Sequence, residues 1–230
     1  MAVRDINDIV LVHGAFTDGS VWSEVIARLE GRGFSVISVQ NPMTSHSDDV
    51  AATLRAMERV EGPVVLAGHS WGGAVITQAG LSDKVRSLVY VTAVAPDQSE
   101  PLSQLQTHAA PSPGMQRAAP DSAGFLWMDR QRYRAELAAD VAEERVAVLA
   151  ATQQPISLKC FEGIPSGAAW RSKPSFYVIA EDDRTLSPDL QAWMAARMGA
   201  TVTRVKSSHM ALIAHADTVA DVIDQAAHQS

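Results

Sequence analysis

The sequence predicts an α/β fold with a mostly parallel six-stranded sheet and helices on both faces. Six short runs rich in β-branched residues alternate with longer helical patterns from the start of the chain. Most of these runs are apolar at both alternating positions, as strands covered by helices on both faces require. The 230 residues are 47% hydrophobic and 20% charged, which supplies one sizeable core and argues against disorder. We therefore expect a single globular domain.

Each predicted strand is a short apolar run, and three helices between them have readable ends. The strands are expected at residues 9–13, 34–39, 63–69, 88–94, 176–180 and 201–205. A first helix is predicted at 21–32 from its i, i+3, i+4, i+7 apolar spacing. Another should follow Ser187 as its cap, with Pro188 in its first turn and Gly199 at its end. The last helix is predicted at 218–227.

One stretch interrupts the alternation. Residues 97–173 hold six of the eleven prolines, so they are predicted to be an insertion. Helical patches at 130–137 and 141–151 indicate a small helical lid joined by irregular loops. The predicted organisation is a core of residues 1–96 and 174–230 and a lid of residues 97–173 within a single domain.

Charge and composition exclude several function classes. The 19 basic and 26 acidic residues give a net charge of −7, the wrong sign for binding nucleic acid or an anionic membrane. No apolar run approaches the ~18 residues that a membrane span needs, and the first residues do not resemble a secretory signal. The one cysteine, Cys160, cannot form an internal disulfide or a multi-thiolate metal site. We expect a cytoplasmic protein.

A glycine-rich turn follows the third predicted strand. Residues 68–73 read Gly-His-Ser-Trp-Gly-Gly, which matches G-x-S-x-G between a strand and a helical pattern. Ser70 at such a sharp turn needs a positive φ, and Gly68 and Gly72 remove side chains that would collide. The Trp71 amide should then point to where an oxyanion forms. The motif predicts a nucleophilic serine on a strand-to-helix elbow.

The end of the first strand provides a second signal. His13-Gly14-Ala15-Phe16 follows a buried strand, in a turn that can aim another amide at the same oxyanion. We interpret His13 as a structural histidine that fixes this turn, because the base should come late in the chain.

A serine nucleophile needs a histidine to accept its proton and a carboxylate to orient that histidine. Glu181, Asp182 and Asp183 follow the fifth strand, and His209 follows the sixth. The carboxyl ends of parallel strands are where such sheets place catalytic groups. Spacing leaves the choice among the three acids open. Asp97, after the fourth strand, is an alternative acid.

Together these motifs resemble the α/β-hydrolase fold. The likeness is greatest to the compact branch that contains plant methylesterases, hydroxynitrile lyases and bacterial pyrethroid- or carbamate-hydrolysing esterases. In that branch the acid lies five residues before the helix-starting proline, which selects Asp183. The resemblance implies Ser70 as nucleophile, His209 as base and Asp183 as orienting acid. It also implies the Ala15 and Trp71 amides as oxyanion donors, with no cofactor and no metal.

Two positions separate this chain from the lyases of that branch. The resemblance implies a threonine after the first-loop histidine and a lysine after the catalytic histidine in rubber-tree-type hydroxynitrile lyases. Here these positions hold Gly14 and Met210, so nothing evident stabilises a cyanide leaving group. Hydrolysis of an ester, carbamate or lactone is the favoured interpretation. A receptor of the same fold, a cofactor-free perhydrolase or haloperoxidase, and a hydroxynitrile lyase-like enzyme remain alternatives.

Large apolar residues near these motifs predict a hydrophobic pocket where the lid meets the sheet. The expected partner is a small hydrophobic ester substrate. Binding to nucleic acid or to a membrane is not expected, and the sequence leaves open whether the protein forms a homo-oligomer. The remaining histidines and Cys160 are interpreted as non-catalytic: His215 as a surface residue, His69 as sequestered beside the elbow, and Cys160 as a packed lid residue. The predicted pocket residues are Phe16, Phe125, Trp127, Trp170 and Met210.

Overall fold

The central sheet has six parallel strands. The computed structural model of the protein describes residues 6–110, 112–114 and 118–229. The sheet has the strand order β2-β1-β3-β4-β8-β9, which confirms the predicted fold class. Its strands are β1 (Asp8–Val12), β2 (Ser35–Val39), β3 (Val64–His69), β4 (Val85–Val91), β8 (Ser175–Ala180) and β9 (Thr201–Val205).

Burial of the strands follows their place in the sheet. Every residue of β3 and β8 is buried, whereas the edge strands β2 and β9 are partly exposed along most of their length. In the parallel register, Val10 lies beside Ile37 on one side and Leu66 on the other. Strands that are apolar at both alternating positions therefore occupy the middle of the sheet, because helices cover both of its faces.

Helices connect the strands by crossovers. Right-handed connections place α1 on the face opposite α2, α3 and α8. Helix α8 begins at Pro188 and ends before Gly199, as predicted, but the Ser187 side chain forms no capping hydrogen bond. The core helices are α1 (Ser23–Gly31), α2 (His46–Glu58), α3 (Gly72–Ala79), α8 (Pro188–Met198), α9 (Ala211–Ala214) and α10 (Ala216–His228).

The lid contains a small sheet that the sequence did not predict. Three strands, β5 (Ala118–Pro120), β6 (Phe125–Met128) and β7 (Ile156–Ser157), pair antiparallel in the order β5-β6-β7. Runs this short carry no periodic signal. The lid therefore combines helices with a small sheet, and both predicted helical patches contain helices. The lid helices are α4 (Leu102–Leu105), α5 (Tyr133–Leu137), α6 (Glu143–Thr152) and α7 (Leu158–Phe161).

Polar contacts attach both ends of the lid to the core. The Trp170 indole N–H donates to the Pro96 carbonyl over 2.8 Å, and Arg171 forms an ion pair with Asp97. Arg197 of α8 contacts both carboxylate oxygens of Glu100 at 3.0 Å.

The described residues include no helix that is both long and apolar enough to cross a bilayer.

The start of α3 lies very close to the sheet, and this predicts the effect of a single methyl group. A Cβ at Gly73 would lie 2.2 Å from the Val94 carbonyl oxygen, whereas a Cβ at Gly31 would meet nothing within 4 Å. We expect Gly73→Ala to lower the free energy of unfolding by about 1–3 kcal/mol through overpacking. The matched Gly31→Ala change should leave it unchanged or raise it by about 0.5–1 kcal/mol. Urea denaturation measures both; equal effects would contradict the close approach.

Candidate active site

Ser70 occupies the predicted elbow. Its φ is 52°, in the left-handed region that favours glycine. A Cβ at Gly68 would lie 2.6 Å from the Gly72 carbonyl oxygen, so the turn requires glycine there. The Ser70 backbone is fixed on both sides: its N–H donates to Val91, and its carbonyl accepts from Val94 at 3.1 Å. The surrounding structure thus holds Ser70 in a conformation it would not otherwise adopt.

The predicted acid and base form a direct hydrogen bond. His209 Nδ1 and Asp183 Oδ2 are 2.7 Å apart, and both side chains are almost wholly buried. A carboxylate can only accept, so Nδ1 carries the proton and donates it. In the neutral imidazole this leaves Nε2 as an acceptor, which is the tautomer a general base needs. Of the three neighbouring acids, Glu181 and Asp182 are exposed, and Asp183 faces the histidine.

The Asp183 carboxylate is surrounded by donors. Its Oδ1 accepts the backbone N–H groups of Thr185 at 2.8 Å and Leu186 at 2.9 Å. Its Oδ2 accepts the Gln191 side-chain amide at 2.8 Å in addition to His209. A buried charge is tolerated only with such partners.

Gln191 is a site residue that the sequence reasoning missed. It is fully buried in α8, and its side-chain Oε1 accepts a hydrogen bond from the Ala180 backbone N–H at 3.1 Å. The amide is therefore held at both ends and orients the acid. A polar residue next to the apolar stripe of α8 was the available signal in the sequence.

The elbow and the His209 loop pack together through a second histidine. The His69 and His209 rings have centroids 4.9 Å apart, and His69 Nε2 donates to the His209 carbonyl over 3.0 Å. The same carbonyl accepts from Thr92 Oγ1 at 3.0 Å. Burial holds the pKa of His69 well below its ordinary value, so its ring stays neutral beside the His209 ring.

The structure brings His209 and Asp183 into contact, but it does not join Ser70 to His209. Among the described residues the Ser70 hydroxyl has no hydrogen-bond partner. Catalytic hydrogen bonds are often long or poorly aligned before substrate binds. Ser70 thus lies on the turn whose His69 side chain packs against the His209 ring.

The turn after β1 touches the elbow, since a Cβ at Gly14 would lie 2.6 Å from the Ser70 Cβ. One backbone N–H group in each of these two turns has no partner within the described part of the chain. They belong to Ala15 and Trp71, the predicted oxyanion donors. Backbone amides are usually paired, and an unpaired pair beside a serine is typical of an anion-binding hole.

Hydrogen bonds of His13 fix the first of these two turns. His13 Nδ1 donates to the Gly14 carbonyl at 2.9 Å, and Nε2 accepts from the Asn41 backbone N–H at 3.0 Å. Asn41 returns a side-chain hydrogen bond to the His13 carbonyl at 3.0 Å. Burial lowers the pKa of His13 to about 4, so the ring is neutral. Both ring nitrogens are occupied in this structural role.

A buried carboxylate holds the Trp71 side chain, which the sequence reasoning did not foresee. Asp49 of α2 accepts the Trp71 indole N–H at 2.8 Å and the Met43 backbone N–H at 2.8 Å. The indole also packs edge-on against His46 and against Phe161 of the lid, with centroids 5.9 and 5.5 Å apart. Burial raises the pKa of Asp49 to about 6.

The predicted pocket residues have different surroundings. Phe16 and Met210 are fully buried next to the proposed catalytic positions. Trp170 packs against Pro96 and lies under the Arg197 guanidinium. The Trp127 side chain is 42% exposed, and its indole donates to Asp121 within the same hairpin. The fifth residue, Phe125, is half-buried.

The alternative catalytic groups are engaged elsewhere. Asp97 pairs with Arg171, His215 is half-buried and donates to the Lys206 carbonyl, and Cys160 is buried in the lid. His46 is buried, and its Nε2 is hydrogen-bonded to the Ala74 carbonyl at 3.1 Å. The described residues contain no group of three histidine, cysteine or acidic side chains suited to a metal.

With this geometry in view, comparison with known proteins defines the class. The profile of the alpha/beta hydrolase family matches residues 9–222, and the chain belongs to that family. It is 27% identical over 248 residues to the alpha/beta hydrolase nvfD of Aspergillus novofumigatus, covering 96% of this chain and 97% of that protein.

Two further relatives have names that state a substrate. A carbendazim hydrolyzing esterase of Nocardioides is 32% identical over 120 residues, covering 45% of this chain and 49% of that protein. The crystal structure of a pyrethroid hydrolase from Sphingobium faniae superimposes with a TM-score of 0.86 at 25% identity, covering 97% of this chain and 98% of that one.

The raised pKa of Asp49 predicts how stability depends on pH. The folded protein keeps the Asp49 proton up to about pH 6, whereas the unfolded chain releases it near pH 4. The stability that this group contributes is therefore fully present below about pH 4 and is lost as pH rises through 6. We expect the stability difference between wild type and Asp49→Asn to be about 2 kcal/mol larger at about pH 4 than at about pH 7.5.

Asp48→Asn is the matched control for this prediction. The neighbouring Asp48 accepts hydrogen bonds from Thr44 and Ser45, which lower its pKa. Its contribution is lost as pH falls, so its difference from wild type should grow with pH instead. Urea unfolding across this pH range measures both variants. An Asp49→Asn difference that is constant or increases with pH would contradict the assignment.

Proposed function

We propose that this protein is a serine carboxylesterase that hydrolyses a hydrophobic carboxylic ester through an acyl-enzyme. The observation that carries the proposal is the buried Asp183–His209 pair, whose ring packs beside an elbow that holds Ser70 at φ 52°. In serine hydrolases a histidine held by a buried carboxylate serves a serine on a neighbouring turn, and this arrangement supports those three roles here. The similarity to proteins named as a pyrethroid hydrolase and a carbendazim hydrolyzing esterase supports ester-type substrates.

The proposed reaction has two halves. His209 accepts the Ser70 hydroxyl proton at Nε2 while the serine oxygen attacks the ester carbonyl. The Ala15 and Trp71 amides stabilise the oxyanion, and collapse of the intermediate expels the alcohol, which takes the proton from His209. Water then attacks the acyl-enzyme with His209 again as base, releasing the acid and restoring Ser70. Asp183 stabilises the imidazolium that forms in each half through its hydrogen bond to Nδ1.

Bulky apolar groups are the proposed feature of the substrate. Phe16 and Met210 directly follow the oxyanion turn and the base in the sequence, so the proposal assigns them to the acyl or alcohol site. Phe125, Trp127 and Trp170 of the lid complete the proposed pocket. A carbamate or lactone has the same electrophilic carbonyl and belongs to the proposed range. Net charge and the buried Cys160 support the cytoplasm as the proposed location.

Replacing the nucleophile tests this proposal. Ser70→Ala should fold normally, because alanine occupies the same turn, and should lower p-nitrophenyl ester turnover by about 10⁶-fold. The expected signal is loss of p-nitrophenolate release at unchanged thermal stability. Retained turnover in a folded Ser70→Ala variant would refute the assignment. Ser99→Ala is a matched control, since Ser99 also has a positive φ of 61° but lies in the lid; it should retain full activity.

A non-catalytic or slow-turnover receptor of the same fold is the second candidate. It is favoured by one observation, the absence of a Ser70–His209 hydrogen bond among the described residues. An activated serine reacts with a fluorophosphonate, whereas an inactive one does not. Labelling located on Ser70 by mass spectrometry, together with turnover, supports the esterase. Tight binding of a hydrophobic ester without labelling or turnover favours the receptor.

A further inference from the structure

One short lid segment touches three of the four loops that carry the proposed catalytic groups, all except the Ser70 elbow. Residues 133–140, which comprise α5 and the turn after it, are termed the brace segment. Its first contact is with the oxyanion turn: the Tyr133 hydroxyl donates to the Phe16 carbonyl over 2.8 Å. Tyr133 is fully buried, and Phe16 has a positive φ of 61°. Such a backbone persists only where its surroundings fix it, and this hydrogen bond is one of the contacts that do so.

The second contact is with the loop of the acid. The Thr185 hydroxyl donates to the Glu136 carbonyl at 2.8 Å, and Arg184 pairs with the Glu136 carboxylate at 3.3 Å. The backbone N–H of the same Thr185 donates to Asp183 at 2.8 Å. A displacement of the brace segment would therefore move a donor to the acid.

The third contact is with the loop of the base. Asp140 accepts the Ser207 hydroxyl at 2.8 Å and the Ser208 backbone N–H at 3.0 Å, and it also hydrogen-bonds the Ser208 hydroxyl. These two serines directly precede His209 in the sequence. Hydrogen bonds to a charged group are stronger than neutral ones, so Asp140 restrains the backbone that carries the base.

We propose that the brace segment sets the geometry of the catalytic loops, with Tyr133 and Asp140 as positioning residues; this inference rests on the proposed function. The three loops follow strands β1, β8 and β9. The β8 and β9 loops share one backbone hydrogen bond past the strand ends, from the Asp182 N–H to the Ser207 carbonyl at 3.1 Å, whereas the brace segment contacts all three loops. A cover over the substrate would not need polar bonds to each loop. Because a 1 Å misplacement of a catalytic group can cost about 10²-fold in rate, a lid that fixes the loops contributes to the chemical step.

Two near-isosteric variants test the inference. Tyr133→Phe removes only the hydroxyl, and Asp140→Asn removes the charge and one of the two acceptor oxygens. We expect each to lower kcat for p-nitrophenyl butyrate by about 10-fold or more while KM changes by less than about 2-fold, because positioning acts on the transition state. The rate of Ser70 labelling by a fluorophosphonate should fall in parallel.

Asp129→Asn is the matched control. Asp129 is another exposed lid carboxylate, and it accepts only the Gln131 backbone N–H of its own turn at 2.8 Å; its kinetics should match those of wild type. Ser207→Ala removes one donor to Asp140 from the core side, and it carries the test if Asp140→Asn fails to fold. In the double variant Asp140→Asn/Ser207→Ala, the fold-loss in kcat should be smaller than the product of the two single fold-losses, because both changes remove the same hydrogen bond.

The outcomes separate this inference from the proposed function. Wild type that neither turns over the ester nor labels at Ser70 contradicts the proposed function. Wild-type activity with unchanged kcat in folded Tyr133→Phe and Asp140→Asn contradicts the brace alone. A raised KM at constant kcat also contradicts it, because that result describes a lid that only covers substrate.

Discussion

The Asp183 carboxylate is the constraint on which the site depends. A buried negative charge must be met by donors, and this one is met by two backbone N–H groups, the Gln191 amide and His209. The backbone donors fix the loop after β8, and Gln191 ties that loop to α8. The remaining acceptor position of the carboxylate then faces His209 Nδ1. One buried charge thus determines both the orientation and the tautomer of the ring.

The strand-to-helix elbow imposes a separate constraint on the backbone of Ser70. Ser70 can reach the site only if the chain reverses between β3 and α3 within a few residues, which forces its φ to 52°. The His69 side chain of that same turn donates to the His209 carbonyl. Asp183, His209 and the elbow come together because the strands are parallel and their carboxyl ends share one edge of the sheet.

Much of this arrangement was predictable because its signals are local. Runs that are apolar at both alternating positions identified the inner strands. The glycines around Ser70 indicated the elbow, because such a sharp turn leaves no room for side chains there. Spacing alone could not choose Asp183 over its two acidic neighbours. That choice came from family resemblance, and the structure shows the reason, since Asp183 alone of the three is buried against His209.

The features that were missed depend on contacts between distant parts of the chain. The β6–β7 pairing joins Leu126 to Ile156 through strands too short to show a period. Asp49, Gln191 and Asp140 resemble ordinary polar helix or loop residues in the sequence. Their roles follow only from the Trp71 indole, the Asp183 carboxylate and the Ser207–Ser208 pair that folding brings against them.

The tautomer of His209 tests the central claim most directly. Nitrogen NMR of protein labelled at its imidazole rings distinguishes a protonated Nδ1 from a protonated Nε2, and a His209→Gln variant assigns the signal. The account predicts the neutral ring with its proton on Nδ1 in wild type, and loss of that preference in Asp183→Asn. A ring protonated at Nε2 in wild type, or a tautomer unchanged by Asp183→Asn, would contradict it.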